Sequence, residues 1–548
     1  MRRLGVVLAL AGLALAAWPA AASADSTLSR ERARELRLYD GTLLLARPGA
    51  GATLSRAGGV RIARTLPIWR LPSGAAVRVL PRLMRAGLVS EVSPDLPVHA
   101  DTHLEQGDPL LAREWWVPFV GLDRAEPPGP GKPVTVIDSG IDLTHPEFAS
   151  RPTTTALNEQ TTSGRLEEHG TAVSSTIGAP ANGIGVVGVY PQANLQVFDA
   201  SHLGAGPTIG EIIQGLDAAI RHGPGVINLS LGAPFHVPPL DEMIAATFAS
   251  GSFVVAASGN DREVGSPLSY PAALPHVLTV GATDSTGAPT FFTSASRYVD
   301  LAAPGQSIPV AVPATYDPTL YDFFSGTSFS SPLVAGAAAW VWTARPTLDV
   351  TQLGEVMRAS AQDIAGRGFD NLSGFGRLDI PAALAAVPPA TDPQEPNEDV
   401  SYVKRSGFLH RSAPPLTVAG RPRGAITAHL ESAEDPRDVY RMWVPGKRTA
   451  FVALRPSGGD ADLALWGPRT SSVLERGAAR RKDTRGLSEH SGLKRESLRV
   501  TNTGRRGAYF YVEASAGTQR NAARTPAGIA YRLSVSIVKA KPKRAARR

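Results

Sequence analysis

The stretch VTVIDSG at 134–140 places a short apolar run, closed by a carboxylate, directly before Ser-Gly. A short run that is apolar throughout is typical of a parallel strand buried on both faces of a sheet. Four further runs of the same kind follow in the chain, namely LQVFDA at 195–200, GVINLSLG at 225–232, SFVVAASGN at 252–260 and HVLTVGAT at 276–283. We therefore expect residues 134–138 to form the first strand of a parallel sheet.

Helical patterns separate these runs. TIGEIIQGLDAAIRHG at 208–223 and LDEMIAATFASG at 240–251 have apolar residues at helical spacing, and Gly251 is a candidate C-cap. Strands that alternate with helices in this way predict an α/β fold with a parallel sheet. Right-handed crossovers then place the carboxyl ends of the strands at one edge.

The segments on either side of this α/β region follow different patterns. Upstream, a small α+β unit is predicted, with strands at 42–46, 60–63 and 76–80 and a helix near 81–87. Downstream, the Pro- and acid-rich stretch 387–400 predicts a linker. Short alternating runs after it predict an all-β sandwich, with strands at 439–444, 449–454, 461–465, 509–513 and 531–538.

The first 24 residues have the pattern of a secretory signal peptide. Arg2 and Arg3 precede the apolar run 4–18, and Ala22-Ser23-Ala24 has the small-x-small form that signal peptidase cleaves. The run is too short to span a bilayer comfortably. We therefore predict a secreted, extracellular protein.

Cysteine content and charge exclude several classes of protein. The 548 residues include no cysteine, which excludes disulfides, Cys-ligated zinc and a thiol nucleophile. The net charge of +7 is uneven, because residues 476–548 hold 19 Lys/Arg against 4 Asp/Glu, a balance of +15 that leaves −8 elsewhere. A basic appendage on a mildly acidic body argues against a nucleic-acid partner.

Three blocks of the α/β region pair a reactive side chain with small neighbours. They are VIDSGIDLTHPEF with Asp138, EEHGTAVSST at 167–176 with His169, and FSGTSFSSPLVAGAAAW at 324–340 with Ser328. Serine is a weak nucleophile until a base takes its proton, and the base needs a third group to fix its tautomer. A serine that opens a helix also has backbone N–H groups aimed at a developing oxyanion.

Each block alone has an ordinary structural explanation. Asp138 could cap a turn, His169 could be a solvated histidine beside two acids, and Ser328 could cap a helix. No second histidine follows His169 at i+4, so a zinc site is poorly supported, and His145 is assigned to the loop after the Asp138 strand. The occurrence of all three blocks in order, together with Asn260, favours catalysis.

DSGIDLTHPEF, HGTAVSSTIGA and GTSFSSPLVAGAAA resemble, in this order, the Asp, His and Ser blocks of the subtilisin-like serine proteases, the subtilase or S8 family. The resemblance covers residues 130–387, about half of the chain. It implies a parallel-sheet catalytic domain in which Asp138, His169 and Ser328 form the catalytic triad. Two departures, Ala172-Val173 and Phe329-Ser330, lie at positions that carry no chemistry.

The same resemblance implies the remaining parts of an active site. Asn260 takes the place of the family's oxyanion-binding amide, and the Ser328 N–H is the second donor. A substrate peptide is expected to pair with two strands that line the cleft. The residues implied are Ser230, Leu231 and Gly232 on one wall and Ala257, Ser258 and Gly259 on the other.

The flanking segments also resemble known domains. Residues 30–105 loosely resemble a subtilase propeptide of the inhibitor-I9 type, which implies an intramolecular inhibitor removed by cleavage near 98–107. Residues 393–538 resemble the bacterial pre-peptidase C-terminal domain. The predicted division is a signal peptide at 1–24, a propeptide at 25–107, a catalytic domain at 108–387, a linker at 388–400, a β-sandwich at 401–538 and a basic disordered tail at 539–548.

Cofactors and partners follow from this interpretation. The chemistry requires no cofactor and no catalytic metal. Family members often bind structural calcium, but the acidic run PQEPNED at 393–399 matches no EF-hand spacing, so no ligands are assigned. The expected partners are protein or peptide substrates and the chain's own propeptide, with weak binding of the basic tail to an anionic cell envelope.

The sequence thus predicts a monomeric, secreted serine endopeptidase that is made as a zymogen and acts through an acyl-enzyme. The alternative is a catalytically silent subtilase fold that binds surfaces. A serine–carboxyl peptidase would need Glu in place of His169, with Glu168 as its candidate. An esterase is disfavoured because no G-x-S-x-G motif surrounds Ser328.

Overall fold

The computed structural model describes most of the chain from residue 41 onward. The predicted signal peptide, the predicted cleavage region at 98–107 and the tail from residue 540 lie outside the described residues. Among the described residues, no helix has both the length and the apolar composition needed to cross a bilayer. The described residues are 33, 36, 41–62, 67–94, 108–149, 151, 153–160, 168–201, 206–409, 413–474, 483–517, 524–525 and 528–539.

In the N-terminal unit, residues 41–62 and 67–94 form a small antiparallel sheet with two helices. Its strands are ordered β2-β3-β1-β4 and enclose a separate apolar core. The strand predicted at 76–80 was wrong. Ala76, Leu80 and Leu83 are buried at helical spacing, so that segment lies in a helix. The elements are β1 Gly41–Ala46, α1 Gly51–Arg56, β2 Val60–Arg61, β3 Ile68–Pro72, α2 Ser73–Arg85 and β4 Val89–Pro94.

The second unit contains a seven-stranded sheet, ordered β11-β10-β9-β8-β5-β7-β6, whose described pairings are all parallel. The five predicted strands are present, and two more, β6 and β11, extend the edges. Strands β8 to β11 are buried along their whole length, which explains their largely apolar sequences. The strands are β5 Pro133–Asp138, β6 Thr154–Ala156, β7 Asn194–Asp199, β8 Val226–Leu229, β9 Phe253–Ala257, β10 Val277–Thr283 and β11 Val299–Pro304. The sheet confirms the α/β fold.

Helices cover this sheet, and local signals fix several of their ends. Thr208 and Glu211 form a capping box at the start of α6, and Gly251 has a φ of +85° just beyond α7, as a C-terminal glycine does. Helix α8 is almost fully buried and packs against the central strands. The helices are α3 Trp116–Val120, α4 Pro146–Ala149, α5 Glu168–Gly178, α6 Ile209–His222, α7 Pro238–Ala249, α8 Thr327–Ala344, α9 Val350–Ala359 and α10 Ile380–Ala385.

A two-stranded hairpin precedes helix α8. Strands β12 Ile308–Ala311 and β13 Tyr321–Phe324 pair antiparallel.

The segment 388–400 lies against the C-terminal region, where Asn397 and Asp399 are buried. Asp399 caps the short helix α11 Val400–Val403 and accepts a hydrogen bond from the Val473 N–H at 2.6 Å.

The C-terminal region is all β, as predicted. Two antiparallel four-stranded sheets, ordered β14-β21-β16-β19 and β15-β20-β17-β18, share one apolar core. Three of their strands, β14, β18 and β19, were not predicted, because they carry more charged and small residues than the others. The strands are β14 Arg423–Leu430, β15 Arg437–Val444, β16 Arg448–Ser457, β17 Ala461–Trp466, β18 Thr484–Ser488, β19 Glu496–Thr501, β20 Ala508–Ala516 and β21 Ile529–Lys539.

Buried ion pairs join this sandwich to residues 108–387, the part of the chain that contains the seven-stranded sheet and is called the body below. Arg524 lies 2.6 Å from Asp300 of β11 and 2.7 Å from Glu431. Arg358 of α9 pairs with Glu434, a residue of the turn between β14 and β15. These side chains are almost inaccessible to solvent, so each charge depends on its partner for stabilisation.

Candidate functional site

The sheet presents Asp138 at the carboxyl end of β5, the edge at which parallel sheets place their ligands. Its side chain is 2% exposed, and its Oδ1 accepts hydrogen bonds from His169 Nδ1 at 2.7 Å and from the Ser139 N–H at 2.7 Å. The buried carboxylate therefore holds the imidazole in one orientation. In neutral His169 the proton is on Nδ1, which leaves Nε2 as the basic nitrogen.

A close backbone approach positions His169. The residue lies in the first turn of α5, where the Gly170 N–H donates to Ser139 Oγ at 3.0 Å. A Cβ atom added at Gly170 would lie 2.0 Å from the carbonyl oxygen of Gly140. Only glycine fits at this point, which explains the Gly of the His-Gly-Thr block. Thr171 completes the contact by accepting from the Asp142 N–H at 2.9 Å.

The environment of His169 raises its pKa above the ordinary value. Burial alone would lower the pKa, but the charge and hydrogen bond of Asp138, together with the charge of Glu168, more than offset this effect. The side chain remains 36% exposed, and its ring lies 5.8 Å from the ring of Phe329. His169 therefore combines access to solvent with a strongly oriented, basic imidazole.

Ser328 lies in the first turn of α8 and is half-buried. Its hydroxyl donates to the Ser230 carbonyl at 3.3 Å, and the Ser230 hydroxyl donates to the Ser328 carbonyl at 2.8 Å. Fully buried Asn228 supports this pair, because its amide donates to Ser230 Oγ at 2.9 Å and accepts from Ser331 Oγ at 2.7 Å. A continuous hydrogen-bond chain thus fixes the start of α8 against the end of β8.

Asn260 lies three residues beyond β9, beside the same helix start. Its Oδ1 accepts from the Thr327 N–H at 2.9 Å and from Thr327 Oγ1 at 3.0 Å. Because two donors hold the carbonyl oxygen, the Nδ2 group is the end of the side chain that can donate elsewhere. A Cβ atom added at Gly326 would lie 3.3 Å from Asn260 Nδ2, and the backbone N–H of Ser328 lies beside the same point.

The two predicted cleft walls follow neighbouring strands. Residues 230–232 continue from β8 and residues 257–259 close β9, so both segments lie at the carboxyl edge of the sheet. Gly232 is exposed, and a Cβ there would lie 2.2 Å from Ser269 Oγ. Such a close approach accounts for the glycine and leaves its backbone accessible.

The structure brings Asp138 and His169 into direct contact and places Ser328 and Asn260 at one helix start. The supporting residues Asn228, Thr327 and Ser331 were not identified from the sequence. A polar Asn inside the otherwise apolar run GVINLSLG was the available signal, since a buried amide needs partners. His145 lies in the loop after β5, as expected, with Nε2 3.0 Å from the Leu320 carbonyl oxygen.

Metal-ligand spacing occurs elsewhere in the chain. Among the described residues, two groups of side chains offer at least three ligand atoms close together, and neither includes His169 or Glu168. One group is His276, Glu395 and Glu398, and the other is Asp392, Glu395, Asp435 and Asp438.

Several known proteins are similar to this chain. The sequence model of the subtilase family matches residues 129–376, and subtilisin BL of Lederbergia lenta is 36% identical over 274 residues, 48% of this chain and 97% of that protein. The chain belongs to the subtilase family. The alkaline protease of Alkalihalobacillus alcalophilus is 34% identical to this subtilase over 292 residues, 52% of this chain and 74% of that protein. The crystal structure of fervidolysin from Fervidobacterium pennivorans aligns with a TM-score of 0.49 and 17% identity, covering 84% of each chain.

Family membership makes this protein a serine peptidase, with protein or peptide substrates. The subtilase match ends before the sandwich, and the resemblance of residues 393–538 to the pre-peptidase C-terminal domain stays a prediction.

Proposed function

We propose that this subtilase is a secreted serine endopeptidase in which Asp138, His169 and Ser328 form the catalytic triad. The observation that carries the proposal is the 2.7 Å hydrogen bond between buried Asp138 and partly exposed His169. A serine at the first turn of a buried helix completes the set of residue types that nucleophilic catalysis requires.

In the proposed reaction, Ser328 Oγ attacks the scissile carbonyl carbon while His169 Nε2 accepts its proton. His169 then protonates the leaving amine, and a water molecule hydrolyses the acyl-enzyme by the same route in reverse. Asp138 keeps the Nδ1 proton in place and stabilises the imidazolium. Through these steps a single imidazole acts first as a base and then as an acid.

The negative charge on the tetrahedral intermediate needs preorganised donors. We assign this role to Asn260 Nδ2 and to the Ser328 N–H. The two hydrogen bonds from Thr327 to Asn260 Oδ1 support the assignment, because they orient the amide before substrate arrives. The positive end of the α8 dipole adds to the same effect.

Substrate binding is assigned to the two segments that extend β8 and β9. An extended peptide would pair with the backbone of Ser230, Leu231 and Gly232 and contact the wall formed by Ala257, Ser258 and Gly259. The small side chains of these walls favour an open pocket that accepts large apolar side chains of the substrate.

Export and maturation complete the proposal. The N-terminal pattern favours secretion, and the compact α+β unit at 41–94 is assigned as the propeptide that folds with the enzyme and inhibits it. Cleavage between 98 and 107 would release the mature enzyme. The basic tail is assigned to weak binding of an anionic cell envelope, and salt-insensitive retention on cells would contradict this last assignment.

The test is labelling of the secreted protein with a fluorophosphonate, which reacts only with an activated serine. We expect labelling of the wild type and of Ser325→Ala, a control three residues from the nucleophile, but not of Ser328→Ala. A quenched peptide blocked at both termini reports endopeptidase activity, and N-terminal sequencing reports maturation. No labelling after a second protease has removed the propeptide would reject the triad and leave the silent surface-binding alternative.

A further inference from the structure

Four carboxylates converge where the sandwich meets the catalytic body. Asp392 and Glu395 come from the segment that leads out of the body, whereas Asp435 and Asp438 come from the start of β15 and the turn before it. One oxygen from each residue lies within 4.8 Å of an oxygen from each of the others. The residues are far apart in sequence, so the fold itself brings like charges together.

This cluster carries unmet hydrogen-bonding capacity. Within the described part of the chain, Asp392 Oδ1, Asp435 Oδ1 and Asp438 Oδ1 are buried oxygens that accept no hydrogen bond. The Asp438 residue is 0% exposed, and the Asp392 side chain is 1% exposed. A buried carboxylate oxygen without a partner is costly. Three of them pointing into one cluster indicate a missing positive group.

Nearby protein cations do not supply that charge in full. His429 is the closest, with Nδ1 3.7 Å from Asp392 Oδ2, while Arg358 and Arg524 are paired with Glu434, Glu431 and Asp300. Burial is the main cause that raises the pKa of all four clustered carboxyl groups, and the mutual repulsion of neighbouring acids adds to it.

The space for an ion is present. A cavity of about 40 Å³ lies between the body and the sandwich, and Asp392, Glu395 and Asp435 are among the residues that line it. A water molecule needs a cavity of roughly 10–15 Å³, so the cavity has room for an ion with a bound water. The other side chains around it include Phe248 and Phe253 of the body and Leu430 of the sandwich.

We propose that Asp392, Glu395, Asp435 and Asp438 bind one calcium ion, which holds the sandwich on the catalytic body. The donors are all oxygen atoms, and several carboxylates around one ion are typical of calcium rather than of softer metals. The buried contact between His276 and Glu398 links the same segment to the body, because His276 directly precedes β10. Binding of the ion would thereby stabilise the contact between the two parts.

The test uses the full chain with Ser328→Ala, which prevents self-digestion without touching the cluster. Calcium binding to the EDTA-treated protein is measured by titration calorimetry, and unfolding is followed by differential scanning calorimetry with calcium or with EDTA. The double variant Asp435→Asn/Asp438→Asn removes two of the proposed calcium ligands. Glu489→Gln, at an exposed residue of the sandwich, is the matched control for loss of an acid.

We expect the double variant to bind one calcium ion fewer per chain than the control. Calcium should also raise the unfolding temperature of the double variant by less than it raises that of the control. In EDTA the order should reverse, with the double variant at least as stable as the control, because like charges have been removed. If the double variant fails to fold, Asp435→Asn alone should give the same pattern at smaller amplitude. Equal calcium stoichiometry and an equal calcium-induced shift in the variants and the control would overturn the proposal and indicate protonated carboxyl groups.

Discussion

The contact at Gly170 gives a quantitative prediction for the substitution Gly170→Ala. The added Cβ would lie 2.0 Å from the Gly140 carbonyl oxygen, whereas real Cβ atoms essentially never approach a heavy atom within 3.0 Å. The first turn of α5 must therefore move by at least about 1 Å relative to the loop after β5. The contact is with backbone on both sides, so no side-chain rotation can relieve it.

Two consequences follow, with different magnitudes. Overpacking of this kind typically costs about 1–3 kcal/mol of folding free energy. His169 is bonded directly to Gly170, and a 1 Å displacement would break its 2.7 Å hydrogen bond to Asp138. Misplacement of a catalytic group by about 1 Å can reduce turnover about 10²-fold. We therefore expect a loss of activity much larger than the loss of folded protein.

Hydrolysis of a chromogenic peptide, normalised to the amount of folded mature protein, separates the two effects. Unfolding is measured by scanning calorimetry on the same substitution combined with Ser328→Ala. The control is Gly210→Ala, where the nearest atom to an added Cβ is Thr208 Oγ1 at 3.8 Å, and its activity should match the wild type. Wild-type turnover per folded molecule in Gly170→Ala would refute the reasoning that this close approach positions His169.

Three further predictions concern other residues. Asn260→Ala should lower kcat by about 10²–10³ with little change in KM, the range reported for removal of one oxyanion donor; a change in KM alone would contradict its assignment. Because His169 must be neutral to act as a base, kcat/KM should fall as the pH drops through its raised pKa, and a profile flat between about pH 5 and 8 would exclude that role. Arg524→Met leaves buried Asp300 and Glu431 without their closest cation and should cost about 3–5 kcal/mol of unfolding free energy. Burial raises the pKa of Glu431, but the charge of Arg524 outweighs this effect and lowers the pKa to about 2. The stabilisation by Arg524 is therefore complete above the ordinary pKa of 4.5 and is lost as the pH falls toward 2. Calorimetry at several pH values will detect this loss.

The sequence predicted the catalytic sheet well for a physical reason. Strands buried on both faces are mostly apolar, so β5, β8, β9 and β10 stand out as short apolar runs. The segment 76–80 was mistaken for a strand because Val77-Arg78-Val79 alternates locally. The helical spacing of buried Ala76 and Leu80 becomes visible only in a window longer than these three residues.

The proposed site residues were also selected from the sequence, because each occupies a block of small residues that folds locally. The sequence did not indicate contacts between distant segments. Arg524 and Asp300 are 224 residues apart, and Asp392 meets Asp438 only after the sandwich docks on the body. Asn228 could be seen as an odd polar residue in a buried strand, but its two hydrogen-bond partners depend on where α8 lies.

The pairing of Arg524 with Asp300 has a consequence for the lifetime of the protein among active copies of itself. Asp300 is fully buried in the body, and its closest cation belongs to the sandwich. A cut within 388–400 that released the sandwich would leave that carboxylate with only Arg358, at 3.9 Å, among the described ion pairs. A truncated enzyme would open more often and be digested faster by its neighbours. We therefore expect a form that ends at Val387 to lose activity with a half-life that shortens as the enzyme concentration rises. The sandwich would then protect the enzyme against autolysis.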